Sequence, residues 1–515
     1  MMRWFRVVWL FVGILVLSSC EDNLDNPTEE FEAVFDSTLV YSIKALMVDN
    51  KGAILNDVSA SIDSNKIVLA SPYIVNPRNL VLTVETSGGG IFKTDGLKVK
   101  NGQKLSLDLT NKQVIRTEGT QSYYYEIECY YSGLPILEIN TPNNVEVISK
   151  EDWISDTSMR IINPDGSIDC EGGLSIKGRG NATWTDEKKG YALKLDEKSK
   201  ILGMKSDKRW VLLPNGKDRT LIRNALGFEI ARLTDLEWTP SGKFVELILN
   251  GEHLGNYYLA EKIKVGSNRL NIDKENGFLM EMDSHYDEPF KFKSLIKEIP
   301  YMFKDPDEVS DDQVVVMQTF INLLEESIYD DNKFSNGDYN RYIDIGTFVD
   351  WWIALELSQN QEPNHPASCF CYKDKDSKLK MGPVWDYDVY TFNSVYRLDT
   401  LAIRNALYYD KLFAAPEFKD KLKQRWAELK PKFEVRIPTY IDDLYNRIRP
   451  SALLNHYIWQ FDWSVDMRWV KLDTPYNSLS WRDNYTDYDN AIETIQQTFR
   501  KKLNNLDMFI TTFDN

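Results

Sequence analysis

The chain has 515 residues, 43% of them hydrophobic, which indicates a globular protein of roughly two to four domains. Its 61 Lys and Arg residues against 78 Asp and Glu residues give a net charge of −17. This balance excludes general nucleic-acid binding, which needs a basic face, although a local basic pocket for phosphate groups stays compatible with it.

The N-terminus predicts export. Arg3 and Arg6 precede an apolar segment at 7–17 that is too short to span a membrane comfortably, and a small-residue site follows it, so we expect a signal peptide over residues 1–20. Residues 17–20 resemble a bacterial lipobox, which implies lipidation of Cys20 and an anchor in the outer membrane, facing the periplasm or the cell surface. An ordinary secretory signal is the alternative.

An acidic stretch at 21–32 follows and is typical of a tether. Its first five residues, 21–25 (EDNLD), resemble the surface-export tag of Bacteroidota lipoproteins. Residues 33–133 then alternate short β-rich runs with turn signals, as in the apolar positions Leu105, Leu107 and Leu109. This spacing predicts a small β-sandwich, immunoglobulin-like, that serves as a spacer or binding module.

Residues 134–515 have a mixed α/β pattern. Apolar periodicity predicts helices over 218–233 and 344–358, and long helical stretches around 416–432 and 488–510. Asn250-Gly251 between two apolar runs predicts a hairpin with a type I′ turn. A second hairpin is predicted from the runs 368–373 and 379–385.

Two carboxylates follow that second hairpin. If 379–385 is a strand, Asp386 and Asp388 leave its end pointing the same way, because side chains repeat with period two. Two hard oxygen ligands suit Mg²⁺ or Mn²⁺, with substrate phosphates completing the coordination shell. A solvated acidic turn is the alternative interpretation of these two residues.

The order of elements predicts a nucleotide-dependent phosphotransferase. Such an enzyme needs a glycine-containing turn for phosphates, a Lys that bridges them, a Glu that orients the Lys, a polar loop and a metal-binding carboxylate. By topology, Lys194 takes the phosphate role and Glu229 is its partner on the following helix. A solvated Lys at a strand edge is the alternative for Lys194.

Five motifs then resemble the signature of the CotH kinase family of spore-coat proteins, in the same order along roughly residues 134–515. They are 176–184 (IKGRGNATW), 189–195 (KGYALKL), 218–224 (DRTLIRN), 246–251 (ELILNG), and 372–374 (YKD) with 382–388 (GPVWDYD). The resemblance implies an α+β chain in which a divergent protein-kinase-like domain, with a mixed α/β N-lobe and a mostly helical C-lobe, follows the sandwich. Some members of the family phosphorylate secreted proteins using ATP and a divalent metal.

The resemblance also implies roles for individual residues. Asp386 matches the metal-binding Asp, with Asp388 as the lesser partner, and the turn containing Arg179 and Asn181 would face phosphate. Glu261 falls near the expected contact with adenine. Better-known members have an Asp as catalytic base where this chain has Glu362.

The loop of Glu362 also carries His365, which is either an acid or base near neutrality or a structural residue. Our leading hypothesis is a kinase that transfers a phosphoryl group from ATP to Ser or Thr of an exported protein, with Mg²⁺ or Mn²⁺. A catalytically silent surface module that binds glycan or protein is the alternative. A glycoside hydrolase fits less well, since Asp386 and Asp388 would share one strand end instead of facing each other.

Overall fold

The computed structural model describes residues 36–512 except 390, 396 and 461–482. The predicted signal peptide, the tether and the lipidated Cys20 lie outside the described residues, so these three remain predictions. The described part is a mixed α+β structure, as the sequence predicted at this coarse level.

The first part of the chain forms two packed sheets. The strands, in chain order, are β1 (Val40–Ala45), β2 (Val58–Ser59), β3 (Ser61–Asp63), β4 (Lys66–Ala70), β5 (Leu80–Thr86), β6 (Ile91–Lys93), β7 (Lys98–Val99), β8 (Lys104–Leu107), β9 (Gln113–Thr117) and β10 (Tyr124–Tyr130). One sheet has the order β2-β1-β5-β8 and the other β3-β4-β10-β9-β6-β7. Alternate residues of β5 are buried, and they meet Ile67 and Ile127 of the other sheet in one core. The immunoglobulin-like character and the boundaries 33–133 and 134–515 stay predictions.

A closed barrel follows, which the sequence analysis did not predict. Its strands are β11 (Ile136–Asn140), β12 (Ile154–Ile162), β13 (Ile168–Arg179), β14 (Gly190–Ser199), β15 (Asp207–Leu213), β16 (Gly242–Leu249) and β17 (Glu252–Glu261). The helix α1 (Arg223–Arg232) lies between β15 and β16 in the chain. The order is β11-β12-β13-β14-β15-β17-β16, and the parallel pairing of β11 with β16 closes it. The predicted hairpin is confirmed, since Asn250 and Gly251 join β16 to β17 with positive φ values of 53° and 81°.

The barrel strands alternate between two environments. Ile176, Leu193 and Trp210 point into the barrel core, so their neighbours along each strand point outward. On β15 and β17 the outward residues Val211 and Ala260 join the main core of the molecule. The same alternation places charged residues of β13 and β15 on this outer face.

The rest of the described chain combines a five-stranded sheet with helices. The strands are β18 (Phe278–Met282), β19 (Lys291–Lys293), β20 (Pro300–Asp305), β21 (Cys369–Lys373) and β22 (Leu379–Met381), in the order β19-β20-β18-β21-β22. The helices are α2 (Asp311–Tyr329), α3 (Asp331–Ser335), α4 (Ile345–Leu357), α5 (Tyr409–Leu412), α6 (Pro416–Trp459) and α7 (Tyr488–Thr511).

The helix predictions hold with two changes of length. α1 begins at Arg223 instead of residue 218, because the side chain of Asp218 accepts the N–H groups of Thr220 and Arg223 in a turn before the helix. α6 continues far beyond residue 432 despite internal prolines, because apolar residues at helical spacing stay buried along it. None of the helices in the described part of the chain is long and apolar enough to cross a membrane.

Candidate active site

The two aspartates of the predicted metal site lie on a loop, not at a strand end. β22 ends at Met381, and Asp386 has a φ of +62°, so strand alternation does not set the direction of its side chain. The expectation that Asp386 and Asp388 project from one strand end is therefore wrong. The loop instead brings the two side chains into a hydrogen bond with each other, and we call them the carboxylate pair.

Two helices fix this loop. The Asn360 side chain, just after α4, donates to the Asp386 carbonyl at 2.9 Å, and the Tyr387 N–H donates to Oδ1 of Asn224 in α1 at 2.9 Å. The Tyr387 ring packs on Gly227 so closely that a Cβ there would lie 2.3 Å from it. The position of the carboxylate pair therefore depends on α1 and on the end of α4.

Ionisation of both members of the carboxylate pair is unfavourable, because the two charges are buried and close together. Burial raises the pKa of Asp388 well above its ordinary value, and the charge of Asp386 and their shared hydrogen bond raise it further. The charge of Asp218 acts in the same direction, whereas Lys217 opposes it. Two close carboxylates favour a proton or a cation between them.

The structure brings Glu362 to the carboxylate pair. Glu362 begins a short 3-10 helix, Glu362–Asn364, and its N–H donates to Oδ1 of Asn360 at 3.0 Å. Asn360 therefore holds both the Glu362 loop and the carboxylate loop. Burial raises the pKa of Glu362 well above its ordinary value, and the charges of the carboxylate pair and Asp283 add to this. His365, the other candidate on the loop, is exposed.

A group of cations faces this acidic region from the barrel. Lys177 and Arg179 on β13, Arg209 on β15 and Lys262 just after β17 form what we call the barrel cations. Among the described residues none of these four side chains forms an ion pair. Unpaired cations gathered on one face favour an anionic ligand.

Arg179 connects the barrel cations to the carboxylate pair. Burial lowers the pKa of the Arg179 guanidinium, while the charges of Asp386, Glu281 and Asp388 act to raise it. The guanidinium lies 5.0 Å from the ring centroid of Trp385, on the same loop as the carboxylate pair. The predicted placement of Arg179 near the site thus has a geometric basis.

Lys262 shows how closely the cations gather. The residue is exposed, but nearby protein atoms partly remove water from its ammonium group and lower the pKa of Lys262 to about 8. Repulsion from the other barrel cations and from Lys304 lowers this pKa further. Lys304 itself is neutralised by Glu281 at 3.0 Å and by Glu288 at 2.5 Å. The unbalanced positive charge therefore lies on the barrel.

The predicted ion pair between Lys194 and Glu229 is not formed. Glu229 lies on α1, which packs against α6, and its carboxylate pairs with Arg436 at 2.6 Å and with Arg232. Lys194 is exposed on β14, where its register partner Arg209 places it on the outer face of the barrel. The assignment of Glu229 as an orienting partner is therefore wrong.

Glu261 points away from the site. It pairs in register with Trp210 of the barrel core, forms an ion pair with Arg269 at 2.8 Å and accepts the Ser241 N–H at 3.0 Å. These bonds satisfy its carboxylate, which is 2% exposed, so a contact with adenine is contradicted. The strand alternation that turns Glu261 inward turns the next residue, Lys262, outward.

The glycine-containing turn is folded around its own side chains. Trp184 packs where a Cβ on Gly178 would lie, and Gly180 has a φ of +106° beside Thr183. Asn181 is exposed and accepts a hydrogen bond from Lys150 at 3.3 Å. The structure therefore places Arg179, but not Asn181, beside the carboxylate pair.

Sequence reasoning missed several residues of this site. Lys177 lies within the quoted motif at 176–184, and its same-face spacing from Arg179 on a strand is the signal that would have identified it. Arg209 and Lys262 are brought in by barrel pairing, which no local pattern reveals. Asn224 and Asn360 support the loops through long-range hydrogen bonds.

The residues fit a divalent cation shared with phosphates, but not a cage made by protein alone. Within the described residues, no group of three or more His, Cys, Asp or Glu is arranged to hold a metal ion. Mg²⁺ typically takes one or two carboxylates and completes its shell with phosphates and water. The carboxylate pair supplies such donors, and the barrel cations supply the complementary charge for phosphates.

Comparison with known proteins gives one informative match. No curated protein matches the chain. A solved structure described as a "putative glycoside hydrolase" from Bacteroides thetaiotaomicron is 11% identical, with 55% of this chain and 88% of that chain covered and a TM-score of 0.15. A likeness at this level carries no information on function. The profile of the family described as CotH kinase protein matches residues 175–506. The chain therefore belongs to the CotH kinase family.

Proposed function

We propose that the protein transfers a phosphoryl group from ATP to a Ser or Thr hydroxyl of an exported protein, with Mg²⁺ or Mn²⁺ as the metal. The observation that carries this proposal is the position of Arg179, one of four barrel cations without an ion pair among the described residues, beside the loop of the carboxylate pair, which Glu362 also approaches. Phosphoryl transfer depends on such positioning and charge stabilisation more than on covalent chemistry. Membership of the CotH kinase family supports the same reaction.

Each group of this site has a distinct task in the proposal. The barrel cations bind the phosphate chain and orient it toward the carboxylate pair. Asp386 and Asp388 would hold the metal, which would neutralise charge on the phosphates when bound. Glu362 accepts the proton of the acceptor hydroxyl, and this requires it to lose its own proton first.

We also infer a two-lobed, kinase-like layout. The barrel carries the cations, while the loops at the ends of α4 and β22 carry the acidic residues. A nucleotide between them would contact both parts. The sequence at 1–20 supports export and lipidation at Cys20, which would place this reaction at the outer membrane.

The proposal is tested by thermal unfolding of the chain from residue 21 onward. A ligand that binds only the native state raises the unfolding midpoint, so ATP with Mg²⁺ or Mn²⁺ is expected to raise it in the wild type. Asp386→Asn is expected to lose the metal-dependent part of this rise and to lose phosphoryl transfer to acidic acceptor proteins. The absence of a shift with every nucleotide and metal combination would contradict the proposal.

One observation favours the alternative of a catalytically silent module that binds glycan or protein. Burial and the neighbouring carboxylates raise the pKa of Glu362, which disfavours the ionised form that a general base needs. ATP binding without any labelling of the protein or of acceptors, over a range of pH, would support that alternative.

A further inference from the structure

A tryptophan on the outer face of the barrel contacts two of the barrel cations. Trp153 immediately precedes β12, and its ring centroid lies 5.2 Å from Nζ of Lys177 and 5.2 Å from Cζ of Arg209. The indole is half-buried, as are both cations. A cation over an indole face is attracted by the ring quadrupole, so Trp153 restricts where each charged head can lie.

This restriction matters because Lys177 and Arg209 come from different strands. β14 lies between β13 and β15, so the backbone alone does not bring the two side chains together. In the part of the chain that the structure describes, neither cation has a carboxylate to orient it. Long cationic side chains without a partner lose much of their rotamer freedom on binding a ligand, and this lowers affinity.

We infer that Trp153 is a positioning residue that holds Lys177 and Arg209 on the outer face of the barrel, on the same side of β13 as Arg179, ready for the phosphate chain of a polyphosphate ligand. This inference rests on the proposed function for the identity of that ligand. The indole acts through the two cations and does not itself contact the phosphates. Because Lys177 and Arg209 lie over the indole ring, we expect the loss of Trp153 to weaken phosphate binding and to leave recognition of the nucleobase unchanged.

The experiment measures binding of ATP and of inorganic tripolyphosphate by calorimetry, with the chain from residue 21 onward. Trp153→Ala is expected to weaken both ligands by a similar factor of about 3 to 10, whereas Trp153→Phe, which keeps an aromatic face, recovers most of the affinity. In a Lys177→Met, Arg209→Met background, Trp153→Ala is expected to add nothing. The matched control is Phe92→Ala in the sandwich. It removes another aromatic–cation pair, in which Cζ of Arg116 lies 4.2 Å from the Phe92 ring centroid.

The outcomes separate this inference from the proposed function. Unchanged binding of both ligands by Trp153→Ala would overturn the inference alone. Weakening of ATP but not of tripolyphosphate would also overturn it, since the indole would then contact the base. A wild type that binds tripolyphosphate but not ATP would overturn the proposed function and leave the role of Trp153 standing, whereas binding of neither would overturn both.

Discussion

At the scale of single residues, the proposed reaction depends on whether Glu362 can lose its proton. Burial and the charges of the neighbouring carboxylates raise its pKa, so the protonated form persists above the usual range of a carboxylic acid. A general base works only after losing this proton.

We therefore expect the transfer rate to rise with pH as Glu362 ionises. The midpoint of this rise is expected at a pH above the ordinary pKa of Glu. Glu362→Gln cannot ionise and is expected to lower kcat by about 100- to 10,000-fold while ATP still raises the unfolding midpoint. Steady-state transfer assays over a pH series check both points. Glu252→Gln, at an exposed position on β17, is the control. A wild-type rate in Glu362→Gln would rule this residue out as the base.

At the scale of elements, the carboxylate loop depends on a close approach of α1. Gly227 lies where a side chain would overlap the Tyr387 ring, with the nearest ring atom 2.3 Å from a Cβ. The ring is fully buried and follows Asp386 directly, so a displaced ring displaces the carboxylate pair. Gly in a helix is normally unfavourable, and its presence here is explained by this contact.

Gly227→Ala is therefore expected to destabilise the fold, whereas the same change at most helix positions stabilises it. Gly-to-Ala changes inside helices typically stabilise by up to about 1 kcal/mol, but overpacking a buried contact costs about 1 to 3 kcal/mol. We expect a lower unfolding midpoint and a smaller rise on adding ATP with Mg²⁺. Gly172→Ala on β13, where a Cβ has open space, is the control. A more stable Gly227→Ala with an intact ligand response would show that the contact is not restrictive.

Local sequence patterns predicted the secondary structure near the site but not the direction of its side chains. Asn250-Gly251 and the periodicity of α4 are local signals, and both predictions are confirmed. The direction of Asp386 was predicted wrongly because this residue has a positive φ and because its carbonyl accepts a hydrogen bond from the distant Asn360, and neither feature leaves a local pattern. Lys262 was missed because only the closed barrel brings it beside Arg209.

At the scale of the whole molecule, α6 links the sandwich, the barrel and the helical part. Near its end, Tyr457 stacks on Tyr130 of β10 with ring centroids 4.5 Å apart. Asn455 accepts a hydrogen bond from Lys188 at 2.7 Å, and the same ammonium donates to the Asn256 carbonyl of β17. This buried contact places an ionisable group between the barrel and α6.

The pH dependence of stability follows from Lys188. Burial lowers its pKa from 10.5 to about 7, against the opposing charge of Glu246. At pH values between these two pKa values, Lys188 is protonated in the unfolded chain but largely neutral in the folded protein. The residue therefore makes the free energy of unfolding increase with pH over this range. We expect the calorimetric unfolding midpoint of the wild type to gain more between pH 7 and pH 9 than that of Lys188→Met. Lys243→Met, exposed on β16, is expected to follow the wild type, and equal responses in all three proteins would show that Lys188 stays charged in the fold.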